Sequence, residues 1–393
     1  MPAKNAAQWL EPPRVPETHY VSGAVYTDPA IFAEEREKIF FRTWRMACHE
    51  SELPAPGDFR TYDHVGMPLV TVRGKDGRIR TFLNVCSHRG ATLVQEIAGN
   101  VERFVCFYHL WAYDTAGTCI DIPREDGYAK TGLRKEDCGL REVRTETRLG
   151  LVFINMDDAA EPLADFLGPA LDRFENVMSH GNLEVLHYSR QVLKANWKAW
   201  METNVDAYHT FMHVGLRKTQ VDTTRRITVY PNGHTGGGGQ KMTYANYAGW
   251  ANRDQSLALP GLDATEMRTV HLWPNALVLS RGTIIRLDTI VPIDIEHTVV
   301  EFRGLGMKGD TPEQRRQRNS HHNQFWGPLG RNIPEDAFAA EACAMTFGPG
   351  AARYQTIARQ ENLTAQDDAG LRNFYGEWSR RLGRPYHNPS NRT

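Results

Sequence analysis

Two short segments, CSHRG at 86–90 and CFYHLW at 106–111, set Cys86 and His88 two positions apart and Cys106 and His109 three apart, with seventeen residues between the pairs. Two thiols and two imidazoles on tight loops form an inorganic donor set. A chain that closes both loops around one centre needs a small scaffold of short strands and sharp turns. The flanking text supplies one: from about Trp44 to Asn155, PLVTVRGKDGRIRTFLNVC, RFVCFYHLWAYDTAG and LGLVFINM are β-prone runs broken by glycine and proline. Gly90 and Gly117 give the backbone room for close approaches. The remaining cysteines, Cys48, Cys119, Cys138 and Cys343, are scattered through a 393-residue chain that needs no disulfide staples. The pair Cys48-His49 has no comparable partner and reads as ordinary structure.

The donor set fits a Rieske [2Fe-2S] centre, in which two thiolates hold one iron and two neutral imidazoles the other. A structural zinc site uses the same ligand types, although the single residue between Cys86 and His88 argues against it, and accidental packing is the third alternative. A second constellation lies in NWKAWMETNVDAYHTFMH, residues 196–213. If this segment is helical, His209 and His213 share a face one turn apart. Two imidazoles and one carboxylate make the facial set of mononuclear non-haem iron, so an Asp or Glu is expected from elsewhere. HHNQFWGPLGRNIPEDAFAAEA, residues 321–342, offers Glu335 and Asp336 at the start of a helical stretch. On spacing alone Asp336 reads first as a helix cap. Glu202 reads as a structural or hydrogen-bonding residue, because the facial set is complete without it.

CSHRG and CFYHLW closely resemble the paired loops of the Rieske ring-hydroxylating oxygenases, and nearly the whole chain resembles the alpha subunit of a Rieske non-haem iron aromatic-ring-hydroxylating oxygenase. That resemblance implies cluster ligands at Cys86, His88, Cys106 and His109. It also implies mononuclear iron ligands at His209, His213 and Asp336, the last chosen over Glu335 because GPxG precedes the acidic pair. The implied fold is α+β: a small β-rich Rieske domain and a larger helix-grip catalytic domain whose antiparallel sheet curves around a long helix. We expect an N-terminal helical segment at 1–39 packed on the catalytic domain, the Rieske domain at 40–155 and the catalytic domain at 156–393. In the family, electrons pass from the cluster to the iron of a neighbouring subunit in a cyclic trimer through a bridging aspartate, which matches Asp206. The implied path is His109 to Asp206 to His209. This chain departs from many members by having three residues between His209 and His213 instead of four, and by a stretch from Trp197 to Asp206 that is one shorter. A local helical adjustment is expected to absorb both.

The expected reaction is cis-dihydroxylation of a small aromatic acid with dioxygen. Monohydroxylation or oxidative demethylation is the alternative, and a noncatalytic electron-transfer or regulatory protein on the same scaffold is a third possibility. Phe211, Met212, Trp273, Ile284, Leu287, Phe325 and Trp326 are candidate pocket residues, and Arg217, Lys218, Arg225 and Arg286 are candidate partners for a substrate carboxylate. With no dinucleotide fingerprint or flavin segment, reducing equivalents are expected from NAD(P)H through a separate reductase, with or without a ferredoxin, and a beta subunit is a further candidate partner. A formal charge of −1 and the lack of a basic tract speak against a nucleic-acid partner. The absence of an apolar run of membrane length predicts a soluble cytoplasmic protein.

In the rest of the chain, DPAIFAEEREKIFFRTW, EPLADFLGPALDRFENVM and ENLTAQDDAGLRNFYGEWSRRL read as helical. LEVLHYSRQVL, RRITVYPN, TVHLWPNALVLS and GTIIRLDTIVP read as strands, and GHTGGGGQ at 233–240 as a mobile loop.

Overall fold

The structure, a computed structural model, describes residues 11–213, 226–241 and 255–391. It divides into two compact units: Arg42–Ala160, and the described residues up to Phe41 together with those from Glu161 onward.

The Arg42–Ala160 unit is built from β1 (Arg45–His49), β2 (Asp58–His64), β3 (Met67–Arg73), β4 (Ile79–Leu83), β5 (Ala98–Asn100), β6 (Phe104–Val105), β7 (Ala112–Tyr113), β8 (Cys119–Asp121), β9 (Glu142–Arg148) and β10 (Leu151–Asn155). Seven of them form an antiparallel sheet in the order β1-β10-β9-β4-β3-β2-β5, and β6-β7-β8 form a separate three-stranded sheet. β-Branched residues fill the centre: Thr71 on β3 faces Thr81 on β4, and their hydroxyls bond at 2.8 Å. Phe59, Val70, Val72, Phe82, Phe104, Trp111 and Tyr113 pack with Cys86, Cys106, Cys119 and Cys138 into one core. Gly117 is required twice over, because its φ is +85° and a Cβ there would lie 2.5 Å from the Phe82 ring.

In the other unit, β11 (Leu183–Leu193), β12 (Ile227–Val229), β13 (Thr235–Lys241), β14 (Glu266–Leu272), β15 (Ala276–Arg281), β16 (Ile285–Pro292) and β17 (Thr298–Met307) form an antiparallel sheet ordered β11-β17-β16-β15-β14-β13-β12. Its helices are α1 (Pro29–Glu35), α2 (Trp197–Val205), α3 (Pro312–Trp326), α4 (Ile333–Phe347) and α5 (Ala369–Leu382). The start of α2 is fixed by Asn196, whose side chain accepts from the Lys198 N–H at 3.2 Å. The helix lies on the sheet through Trp200, which meets Phe302 edge-on at 5.5 Å and donates its indole N–H to Asp288 at 3.4 Å. Alternation along the strands therefore puts Arg286, Asp288, Phe302 and Gly304 on the face toward α2. This is the mixed helix and antiparallel-sheet architecture expected from the resemblance.

The N-terminal segment is tied to this unit by a buried acid. Glu35, fully shielded at the end of α1, accepts from Lys198 Nζ (2.6 Å), Trp197 Nε1 (2.8 Å) and Trp378 Nε1 (2.6 Å). A short strand, Tyr20–Ser22, also pairs with Tyr354–Thr356.

Several local expectations need correction. The glycine-rich 233–240 segment is not a loop: Thr235–Lys241 is a strand paired with β14. Glycine lets it pass over Arg173, whose Nε would lie 2.9 Å from a Cβ at Gly236. The helix expected over EPLADFLGPALDRFENVM is three pieces, Leu163–Leu167, Gly168–Phe174 and Glu175–Met178, because Gly168 adopts φ +48° ahead of Pro169. In the first helix, the α-turns end at Glu35 and a π-turn, Arg36–Phe40, follows. Only Ala369–Leu382 of the last is helical.

Candidate iron centres

The two cysteine-histidine loops are the same turn made twice. Cys86 N–H donates to the Ala91 carbonyl (2.8 Å) and Gly90 N–H to the Cys86 carbonyl (3.0 Å); Cys106 N–H donates to the Trp111 carbonyl (2.9 Å) and Leu110 N–H to the Cys106 carbonyl (2.9 Å). The fourth residue after each cysteine is left-handed, Gly90 at φ +73° and Leu110 at φ +63°. Both thiols are buried and free of disulfide bonds. Burial raises the Cys106 thiol, while the N–H groups of Tyr108 and His109 directed at it pull the other way. Tyr113 OH lies 3.2 Å from Cys86 Sγ and accepts from the Ser87 N–H at 3.1 Å.

The His88 and His109 rings stand 4.5 Å apart at 71°, and His88 stacks on Trp111 at 4.7 Å. His88 Nε2 faces Tyr128 OH at 3.3 Å, whereas its buried Nδ1 has no hydrogen-bond partner. A buried, unpartnered imidazole nitrogen beside two buried thiols is the donor chemistry a Rieske cluster requires.

The second centre is built at a helix break. α2 ends at Val205; Asp206, extended at φ −81°, ψ 99°, caps a 3₁₀ turn, Ala207–Phe211, by accepting the Tyr208 N–H at 2.7 Å. His209 thus sits on a 3₁₀ turn and His213 just beyond it, not on one α-helical face as the four-residue spacing suggested. Their rings are 5.1 Å apart, nearly perpendicular at 82°. Asp336, buried in the first turn of α4, joins them: its Oδ1 is 3.4 Å from His209 Nε2 and 3.3 Å from His213 Nε2. One ligand atom from each of the three lies within 4.8 Å of the others.

Hydrogen bonds on the far side of each ring fix its aim. His209 Nδ1 bonds the Asp206 main-chain carbonyl, and His213 Nδ1 meets Glu335 Oε2 at 2.7 Å, so both Nε2 lone pairs point at Asp336. Asp336 Oδ1 has no hydrogen bond of its own despite its burial. Burial raises the Asp336 carboxyl and pushes His213 down to about 4, against the opposing pull of each on the other. Two neutral imidazoles and a carboxylate facing one point fit a divalent iron with open positions.

Sequence reasoning placed Glu335 as an alternative ligand and missed its bond to His213, a contact between residues 122 positions apart. The Asp206 carboxylate is taken up by the turn, and its carbonyl, rather than the carboxylate, receives His209 Nδ1. Glu202 is hydrogen-bonded, as expected, to Tyr26, Tyr375 and Gln355. Of the pocket candidates, Trp326 and Phe325 lie under the Arg281 guanidinium at 4.8 and 4.4 Å. Leu287 points to the opposite face from Arg286, Ile284 is fully buried in the β15–β16 turn, Trp273 packs against Phe374, and Phe211 is more than half exposed. Met212 is half-buried beside the 3₁₀ turn. Arg286 is buried on the face toward α2, and Arg217, Lys218 and Arg225 lie outside the described residues. Among the described residues no helix is long and apolar enough to cross a membrane.

Comparison with known proteins finds family matches in both units. Residues 43–135 match the Rieske [2Fe-2S] domain and residues 174–383 the ring hydroxylating alpha subunit catalytic domain. The chain is 43% identical over 387 residues to the 2-aminobenzenesulfonate 2,3-dioxygenase subunit alpha of Alcaligenes sp., covering 97% of this chain and 98% of that one. It is 36% identical to the methanesulfonate monooxygenase hydroxylase subunit alpha of Methylosulfonomonas methylovora, covering 99% and 97%. A solved naphthalene 1,2-dioxygenase with indole bound superposes with a TM-score of 0.79 at 25% identity, covering 95% of this chain and 94% of that one. With a cluster-type loop pair in one unit, an iron-type triad in the other, a family match to each and relatives of 36–43% identity over nearly the whole chain, the chain belongs to the Rieske ring-hydroxylating oxygenase alpha subunits.

Proposed function

We propose that this oxygenase cis-dihydroxylates a small aromatic acid, with the cluster held by Cys86, His88, Cys106 and His109 and the catalytic iron by His209, His213 and Asp336. The single observation that carries the second assignment is the convergence of both Nε2 lone pairs on the unpartnered Asp336 Oδ1. When bound, the cluster supplies single electrons and the mononuclear iron activates dioxygen. The protein's part is to hold the ligand nitrogens deprotonated and aimed: the Asp206 carbonyl fixes His209, and Glu335 fixes His213. Burial of Asp336 and His213 limits water at the centre.

Asp206 is assigned as the bridge to a cluster histidine of a neighbouring subunit in a homotrimer, and its place between α2 and the His209 turn supports that role. Electrons are assigned to NAD(P)H through a reductase, with or without a ferredoxin, a beta subunit is a further candidate partner, and the protein is assigned to the cytoplasm. The domain division at 40 and 155 is part of the same assignment, supported by the break between compact units at Phe41 and Ala160. Monohydroxylation is the second reading, favoured by the 36% identity to a monooxygenase subunit.

Single-turnover oxygenation of chemically reduced, iron-replete protein with labelled dioxygen separates the two. A panel of aromatic acids, neutral arenes and methylated amines is offered, and products are resolved by mass spectrometry. Two labelled oxygens in a dihydrodiol are expected. One labelled oxygen in a phenol makes the chain a monooxygenase.

A further inference from the structure

On the sheet face toward α2, Gly304 of β17 has two cross-strand partners, His187 on β11 and Arg286 on β16. Partners in register point to the same face, so a basic side chain flanks the glycine on each side. From above, α3 lowers His322 onto the same spot: a Cβ at Gly304 would lie 2.7 Å from His322 Cδ2, and the His322 and His187 rings stand 4.4 Å apart. Only glycine leaves room for the ring.

These groups have hydrogen-bonding capacity that the protein does not use. His322 is fully buried, and neither of its ring nitrogens completes a hydrogen bond, the Asn323 side chain only approaching the ring; His187 Nε2 is likewise buried and unpartnered. Arg286, 2% exposed, commits Nε and Nη2 to Asp288 and Nη2 to Asn204 (2.9 Å), and no acceptor among the described residues takes Nη1. Each unmet buried polar group costs about 1–3 kcal/mol, so two such imidazoles beside the Arg286 guanidinium point to a ligand that supplies acceptors. Burial first, then His187 and Arg286, push His322 down to about 3 against the opposing pull of Asn323, so its ring is neutral at working pH. The Arg281 guanidinium shares the Trp326 ring with Arg286, at 4.8 and 5.7 Å, and adds positive charge to the same wall. The Arg286 bond to Asn204, in the last turn of α2, ties the strip to the helix that runs through Asp206 into the His209 turn.

We infer that Arg286, His187 and His322, grouped around Gly304, form a subsite for the sulfonate group of the substrate and set a preference for sulfonated over carboxylated arenes. Three donor side chains match three sulfonate oxygens, whereas a carboxylate has two. The two relatives described above are named for sulfonates. The inference rests on the triad being the oxygenating centre of an enzyme for aromatic acids.

Calorimetric binding to the iron-replete holoenzyme tests it, using benzenesulfonate, benzoate and the uncharged methyl phenyl sulfone. Wild-type protein should bind the sulfonate at least tenfold more tightly than either of the others. His322→Phe should lose about tenfold on the sulfonate, and the paired change Arg286→Met with Asp288→Asn, which leaves no buried charge unmatched, about a hundredfold; both should collapse the sulfonate-to-sulfone ratio. Arg286→Lys, which keeps the charge and the fold, should fall between. A ratio unchanged in these variants, or benzoate bound as tightly as the sulfonate by wild type, overturns the subsite and leaves the aromatic-acid assignment standing. Wild-type protein that binds none of the three overturns that assignment, and the subsite with it.

Discussion

Replacing Glu335 tests how the iron triad is aimed. His213 is nearly fully shielded (3% of its side chain exposed) and its Nδ1 lies 2.7 Å from Glu335 Oε2, itself 27% exposed. A hydrogen bond with an ionised partner contributes about 1.5–3 kcal/mol, and the partial exposure of Glu335 places this one in the lower half of that range. Loss of a partner behind a ligating imidazole typically weakens metal binding by about 10- to 100-fold. Glu335→Ala should therefore weaken Fe(II) binding by about 10- to 30-fold, while Glu335→Gln, which keeps an acceptor oxygen but not the charge, should lose less than about tenfold. The assay is competition for Fe(II) between a chromogenic chelator and protein stripped of mononuclear iron, with the visible spectrum of the cluster reporting an intact fold and Asp336→Asn as the lost-ligand reference. Affinity within twofold of wild type in Glu335→Ala would refute the orienting role. A loss equal to that of Asp336→Asn would make Glu335 a ligand.

Because the two cluster loops share one backbone pattern, Gly90→Ala and Leu110→Gly should move stability in opposite directions, each by about 1 kcal/mol, since a left-handed L-residue costs roughly 1–2 kcal/mol; urea denaturation followed by cluster bleaching reads both, and shifts of the same sign would show that the loops are not equivalent. Asp206→Asn should retain both irons yet sharply slow substrate-coupled reoxidation of the cluster in stopped-flow absorbance, and unchanged kinetics would remove the bridging role. Asp368 is raised to about 6, first by burial and then by Asp206, against the Arg359 N–H and Arg372. Its folded form therefore binds a proton more tightly than the unfolded chain, so its contribution is complete below about pH 4 and is lost as pH rises through about 6. Asp368→Asn should flatten that part of the stability profile, and an unchanged slope between pH 4 and 6 would contradict it.

The cluster loops were legible because two cysteine-histidine pairs in a β-rich stretch leave little other chemistry open, and the structure returns them as twin turns. His209 and His213 were legible as a pair, but the shared helical face was not: Asp206 takes the Tyr208 N–H and breaks α2 one residue after Val205, a local competition that periodicity does not register. Asp336 needed the resemblance, because an acid in the first turn of a helix serves the helix terminus equally well. Glu335 behind His213, and the strip around Gly304, depend on contacts between residues distant in the chain. Register alone puts His187 and Arg286 on either side of one glycine. The GGGG run misled for a simple reason: glycine marks mobility in a loop but close approach in a strand, and here Arg173 occupies the space a side chain would need.

One chain holding both centres should carry two distinct kinds of iron. Iron and acid-labile sulfide analysis of purified wild type and Asp336→Asn, paired with electron paramagnetic resonance of the reduced proteins, tests it most directly. Three irons and two sulfides per wild-type chain are expected, with one iron lost and the Rieske signal unchanged in Asp336→Asn. A wild-type chain that holds only the two cluster irons after reconstitution, or a variant that keeps all three, would rule out a separate iron at His209, His213 and Asp336.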